Sequence, residues 1–317
     1  MSQVHTATGP IDTAALGFTL MHEHIYVLTE GLYTTFPHLW DRQARIDQAA
    51  AALAEAQAHG VSTIVDLTVM GLGRDVTIAR EAAQRSGMQV VVATGIYTYD
   101  AVPHYFRYRS TDHMADLFVR DIEEGVQGTD VRAAILKCAT DEQGVTEGVG
   151  KVLRAAARAH RRTGAPISTH THPASEQGLR QQDVFEEEGI DLGRVVIGHS
   201  GDTEDVAYLE KLIGRGSYIG MDRFGIDRML PTEKRVATIA KLCERGHAER
   251  IVLSHDASCY LDWYEPQEVK RAAPRWTFLH IPDDVVPALR QSGVSDEQLR
   301  AMTIDNPRRI FEAQGAY

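Results

Sequence analysis

His22-Glu23-His24 is the first place where this sequence offers chemistry. Side chains alternate faces along an extended strand, so His22 and His24 point the same way and can hold one cation together. Glu23 then points away from them and serves the structure. Four further candidates stand far along the chain, each closing or following a short β-branched run: Lys137, His170, His199 and Asp256. Imidazole suits zinc, cobalt, iron or manganese, and a carboxylate completes the shell of one ion. An HxH pair alone says little, but with two later histidines and an aspartate on separate runs it reads as a metal constellation. The chemistry of such a set is hydrolytic. A metal ion lowers the pKa of bound water from 15.7 to around 7, and two ions about 3.5–4 Å apart can hold the resulting hydroxide while polarising a C=O or P=O. Charge then develops on an oxygen in either case.

Lys137 is the odd member of the set. A protonated lysine cannot ligate a cation, and a neutral amine cannot bridge two. An amine carrying CO₂ becomes a carbamate, an anionic ligand with two oxygens, and no Asp or Glu stands at that strand end to replace it. Two other readings stay open from spacing alone. One is a lysine paired with Asp141 or Glu142 at the rim, and the other a Schiff-base nucleophile in an aldolase-like barrel.

These side chains need a scaffold that brings distant segments to one place. Strands are predicted at 18–21, 62–66, 89–94, 133–137, 166–170, 194–199, 217–221 and 250–254, with amphipathic or alanine-rich helices between them. The helix beginning at Asp202 has Val206, Leu209, Leu212 and Ile213 on one face and ends at Gly214 and Gly216. The stretch from Arg45 to His59 is alanine-rich and is stopped by Gly60. Eight strands, each followed by a helix, is the count that closes a (β/α)₈ TIM barrel, whose catalytic residues sit at the C-terminal ends of several strands. A doubly wound sheet would usually carry GxGxxG after an early strand, and none occurs. The tail adds C-terminal helices, one with a capping box from Ser295 to Gln298 and one near Asn306-Pro307, and a short extension precedes the first strand. With no repeat or linker, residues 1–317 read as a single domain.

Composition narrows the function further. The formal net charge of −11 gives no footprint for nucleic acid or an anionic membrane, which leaves a small-molecule substrate. Cys138, Cys243 and Cys259 lack CxxC spacing, which argues against a disulfide framework or a thiolate zinc site. MSQVHTATGPIDTAALG has neither a basic stretch nor an apolar run, and no segment approaches the roughly 20 apolar residues of a membrane span, so a cytoplasmic protein is expected. Among the 14 histidines, His255 is turned away from the centre by alternation. His172 lies beyond its strand end, and His104 can reach the pocket or an interface. Asp202 is either a partner of the centre or a helix cap, and Cys138 is a buried small hydrophobe.

The segments TLMHEH, AAILKCATDE, PISTHTH, VVIGHSGDT, YIGMDRFGID, VLSHDAS and DNPRRIF, in this order and across essentially the whole chain, resemble the phosphotriesterase family of the amidohydrolase superfamily, and within it the phosphotriesterase-like lactonases. The resemblance implies two divalent metals, zinc foremost, with cobalt, iron or manganese as alternatives. His22, His24 and Asp256 would hold the more buried ion and His170 with His199 the more exposed one, bridged by carbamylated Lys137 and a hydroxide. Asp256 would also take the proton as that hydroxide attacks. Tyr97 and Arg223 would line the substrate pocket, and the loop around Trp263 would shape an acyl-chain channel together with aromatics between Cys259 and Ile281, namely Tyr264, Trp276 and Phe278, and with Leu279. Arg223 stands where dedicated organophosphate hydrolases carry a histidine, and Tyr97 is the lactonase-like choice. The expected activity is hydrolysis of N-acyl-homoserine lactones or γ- and δ-lactones, hence quorum quenching, with weaker turnover of organophosphate triesters. A primary phosphotriesterase is the alternative. The resemblance also implies a homodimer.

Overall fold

The computed structural model describes residues 2–312 and 315–317. In chain order its strands are β1 (Gln3–Thr6), β2 (Gly9–Asp12), β3 (Thr19–Val27), β4 (Thr63–Asp66), β5 (Gln89–Gly95), β6 (Ile135–Ala139), β7 (Ile167–His170), β8 (Val195–Ile197), β9 (Tyr218–Met221), β10 (Ile251–Leu253) and β11 (Ser258–Leu261). Strands β3 to β10 are parallel neighbours in sequence order, with a helix between each consecutive pair. The cylinder closes where the chain leaving β10 meets β3: Asp256 N–H donates to the His22 carbonyl at 3.0 Å, His24 N–H to the Ala257 carbonyl at 2.8 Å, and β11 pairs in parallel with β3. This is the expected (β/α)₈ barrel.

Two apolar layers hold it. The outer one lies between the strands and the surrounding helices. The helix Glu147–Thr163 illustrates its logic. Thr146 caps it through the Val149 N–H, and buried Val149, Val152, Leu153 and Ala156 recur at helical spacing. Arg161 and Arg162 in its last turn face the negative end of the dipole. Leu153 is fully buried there, and truncating it to alanine would cost about 2–5 kcal/mol. The inner layer is the barrel interior, where Met21, Val65, Val91, Ile135, Val196 and Val252 meet. The β1–β2 hairpin and the last helix, Asn306–Glu312, close its N-terminal end with Val4, Ile310 and Phe311.

Several boundaries differ from the sequence reading. β3 runs on to Val27, six residues past the expected Met21, with a register shift against β4 between Leu20 and Glu23. His22 and His24 therefore lie within the strand. β6 runs from Ile135 to Ala139 rather than 133–137, which puts Lys137 at its middle. The hairpin and β11 were not expected. The Ser295–Gln298 capping box is present. Asp202 does not start the following helix; that helix is Val206–Gly214, capped by Asp205 through the Tyr208 N–H. Among the described residues, no helix is long and apolar enough to cross a membrane.

Candidate metal centre and substrate cavity

All six candidate ligands gather at the C-terminal mouth of the barrel. The Lys137 amine donates to His22 Nε2 at 2.8 Å. Asp256 Oδ1 lies 3.2 Å from His24 Nε2 and 3.4 Å from His22 Nε2, and its Oδ2 lies 3.8 Å from His199 Nε2. The His170 and His199 rings stand edge to face with centroids 4.5 Å apart. Lys137 forms no ion pair with Asp141 or Glu142 among the described residues. Asp141 instead lies against His170 Nε2 at 3.4 Å, and Glu142 is exposed.

Two of these side chains hang on strained backbone. His199 and Asp256 both have φ near +56°, a left-handed conformation that costs a non-glycine residue about 1–3 kcal/mol. Asp222 secures the first: its Oδ1 accepts from the His199 N–H at 2.7 Å and pairs with His199 Nδ1 at 2.9 Å. Its Oδ2 pairs with His22 Nδ1 at 2.9 Å. One buried carboxyl thus orients two imidazoles and leaves both Nε2 atoms facing the centre, the arrangement that tunes metal-ligating histidines. Glu23 secures the second. Its Oε1 accepts from the Ser254 hydroxyl, the His255 N–H and His255 Nδ1, and its Oε2 accepts from the Ala257 N–H. The HEH motif thereby clasps the turn that carries Asp256. Thr68 meets His24 Nδ1 at 2.9 Å and is itself held by Asp66. Close packing also requires Gly95, at φ +147°, because a Cβ there would lie 1.8 Å from the Lys137 carbonyl oxygen.

The electrostatics suit a cation. Burial pushes His22 and His199 well below the usual imidazole range and His170 down to about 4, which leaves neutral lone pairs. Burial also brings the Lys137 amine down to about 8, against the pull of Asp256 and Asp222. For Asp256 burial works upward, but His22, His24 and Arg223 outweigh it and hold the carboxyl ionised. Ligand atoms of His22, His199 and Asp256 all lie within 4.8 Å of one another. Neutral imidazoles, an ionised carboxylate and a readily deprotonated amine form a donor set that fits divalent transition ions.

A cavity of about 600 Å³ opens above this centre. Its floor is polar. Tyr97 presents its hydroxyl 3.3 Å from His170 Nδ1 and hydrogen-bonds Tyr99. Arg223 donates from Nε to Asp256 Oδ2 and from Nη1 to Asp202 Oδ2, both at 3.0 Å. Its wall carries Leu72, Ile226, Met229, Trp263, Tyr264 and Trp276, interspersed with the charged Arg228, Glu268 and Arg271. Phe278 and Leu279, expected on that wall, pack into the core instead. His172 does line the cavity, with Nδ1 on Ser175 at 2.7 Å, whereas His104 is absent from its lining. His255 points away, Nε2 accepting the Ile281 N–H at 2.9 Å. Sequence reasoning missed Asp222, Tyr99, Asp66 and Thr68. Asp222 had a usable signal, since it immediately follows β9 and precedes Arg223.

The sequence profile of the phosphotriesterase family matches residues 2–311. The chain is 55% identical over its full length, and that of the relative, to a phosphotriesterase homology protein of Mycobacterium tuberculosis. It is 42% identical to an aryldialkylphosphatase of Saccharolobus solfataricus, covering 95% of this chain and 96% of that one. The solved structure of the phosphotriesterase from Mycobacterium tuberculosis superposes with a TM-score of 0.97 at 55% identity, covering 99% of this chain and all of the other. Membership implies a binuclear divalent metal centre, in keeping with the donor set described above. The chain belongs to the phosphotriesterase family of the amidohydrolase superfamily and is a metal-dependent hydrolase.

Proposed function

We propose that this hydrolase opens lactones, N-acyl-homoserine lactones and simple γ- or δ-lactones among them, and cleaves organophosphate triesters as a weaker side reaction. The observation that carries the reading is a cavity with Tyr97 and Arg223 on its polar floor and a cluster of apolar side chains, Leu72, Ile226, Trp263 and Trp276 among them, on its wall. An acyl lactone has a matching build, an ester ring at one end and an alkyl chain at the other. Residues 1–317 act in this reading as one catalytic domain, and two copies form a homodimer.

His22, His24, Lys137, His170, His199 and Asp256 would hold the two ions, with zinc foremost and Lys137 carbamylated by CO₂. A buried amine brought down to about 8 sheds its proton readily, as carbamate formation requires. When bound, the ions lower the pKa of water toward neutrality and polarise the oxygen of the bond under attack. Asp256 divides its two oxygens. Oδ1 turns to His22 and His24, and Oδ2 turns to Arg223, so the carboxylate would serve both as a metal ligand and as the acceptor of the proton. Arg223 stays charged: burial opposes its charge, but Asp256 and Asp202 more than reverse that effect. It therefore stabilises negative charge on substrate oxygens without titrating. The Tyr97 hydroxyl, pushed up by burial and by Tyr99, remains protonated and orients the ring by donating a hydrogen bond.

A primary phosphotriesterase is the second reading, favoured by the aryldialkylphosphatase name of the Saccharolobus solfataricus relative. One preparation assayed on an acyl-homoserine lactone, γ- and δ-lactones and an aryl dialkyl phosphate separates the two. The expected order of kcat/KM places a lactone first. A phosphotriester ahead by a large factor would reverse the assignment.

A further inference from the structure

Arg235 is among the largest fully buried side chains of the described protein, at 1% exposure, in the first turns of the helix Thr232–Glu244. An arginine is almost never enclosed unless something pairs it. Its Nε donates to the Leu230 carbonyl at 3.0 Å and its Nη1 to the Gly201 carbonyl. Its Nη2 lies 2.7 Å from Asp202 Oδ1, and among the described residues neither of those two atoms makes a hydrogen bond. Their attraction is therefore ionic. The other oxygen of Asp202 accepts from Arg223, which holds Asp256. A file of alternating charge thus leads from the centre into the core, Asp256, Arg223, Asp202 and Arg235, with side-chain exposure falling from 16% to 14%, 7% and 1%.

The far end of such a file governs the near end. With Arg235 charged, Asp202 divides its attraction between two guanidinium groups, and Arg223 divides its own between two carboxylates. Without that charge, Asp202 becomes a buried, half-compensated anion whose whole pull falls on Arg223 and draws it off Asp256. We propose that Arg235 is a positioning residue of the reaction, which by neutralising Asp202 sets where the Arg223 guanidinium sits between Asp256 and the substrate. The proposal rests on Arg223 touching substrate, as read above.

Charge and hydrogen bonding can be separated at this position. Arg235→Lys keeps the charge and weakens the bonds to Leu230 and Gly201, whereas Arg235→Gln keeps an amide donor and removes the charge. Both are measured on the metal-loaded enzyme, with whichever of the lactone or the triester the wild type turns over faster, alongside thermal unfolding. Arg235→Gln should lower kcat/KM by about 10–100-fold and Arg235→Lys by less than about 3-fold, although both lower Tm. In an Asp202→Asn background the Gln substitution should change kcat/KM little further while still lowering Tm, because its effect on the reaction passes through Asp202. The opposite ranking of Lys and Gln, or equal losses from Gln in both backgrounds, would overturn the proposal. Activity untouched in Arg235→Gln overturns it alone, and activity untouched in Arg223→Gln overturns the role of Arg223 with it.

Discussion

Asp222 shows how one side chain can set the geometry of a whole centre. It occupies the interior at 1% exposure and touches Nδ1 of both His22 and His199, residues 177 positions apart in sequence (199 − 22). Burial and the Asp256 charge push its carboxyl upward, while Lys137, Arg223 and the His199 N–H pull it down. Replacing it by asparagine leaves one oxygen and one amide group for two imidazole N–H donors, so one ring loses its acceptor and is free to turn. Asp222→Asn should lower metal affinity or activity by about 10–100-fold. Metal per chain after dialysis against a graded chelator, together with kcat/KM, reads the effect. Wild-type values for both would mean that the rings are held by packing alone. At this scale the sequence declared the residues that face the centre, because strand ends in a barrel share one rim. It was silent on those behind them, since an aspartate one place past a strand looks the same whether it braces two imidazoles or caps a helix.

At the scale of elements, strain and its restraint are paired. The turn after β10 bends Asp256 into left-handed backbone, and the clasp on that turn comes from the opposite end of the sequence, Glu23 in β3. The same turn supports the cavity wall, as Trp276 Nε1 donates to the His255 carbonyl at 2.8 Å. Glu23→Ala would strand buried donors from Ser254, His255 and Ala257 at about 1–3 kcal/mol each, so a total loss of roughly 3 kcal/mol or more is expected. Urea unfolding measures it, and a loss under about 1 kcal/mol would show that the turn holds itself. The alternation argument did read Glu23 as structural from its position between two histidines. The strand β11, by contrast, was illegible. Its residues, SCYL, show no polar-apolar alternation, and its pairing with β3 depends on the barrel having already closed. For Asp202 the sequence left two readings open, a partner of the centre or a helix cap, for a similar reason: spacing places it before an apolar helix, but only the folded chain sets two arginines beside it.

For the molecule as a whole, the sequence revealed the barrel through its alternation of short β-branched runs with helices, a pattern that survives errors of several residues at any boundary. What it could not reveal is the protonation cost of enclosing so many imidazoles. His160 and His280 lie outside the set of candidate ligands, at 0% and 2% exposure. Burial is the main cause lowering both below the ordinary 6.5, opposed at His160 by the Ala165 carbonyl and at His280 by Asp284. In the unfolded chain each takes up a proton near 6.5, whereas in the folded chain it resists until lower pH. Between those two values the unfolded state binds more protons, so stability rises with pH there. The contribution is complete above about 6.5 and is lost as pH falls through the folded values. The urea midpoint should therefore be lower at pH 5 than at pH 7.5. His160→Gln keeps an amide donor for the Ala165 carbonyl and removes the titration, so it should shrink the difference between the two pH values even while lowering both midpoints. A variant as acid-sensitive as the parent would assign the effect to other groups, with the metal-facing imidazoles His22, His170 and His199 the next to test.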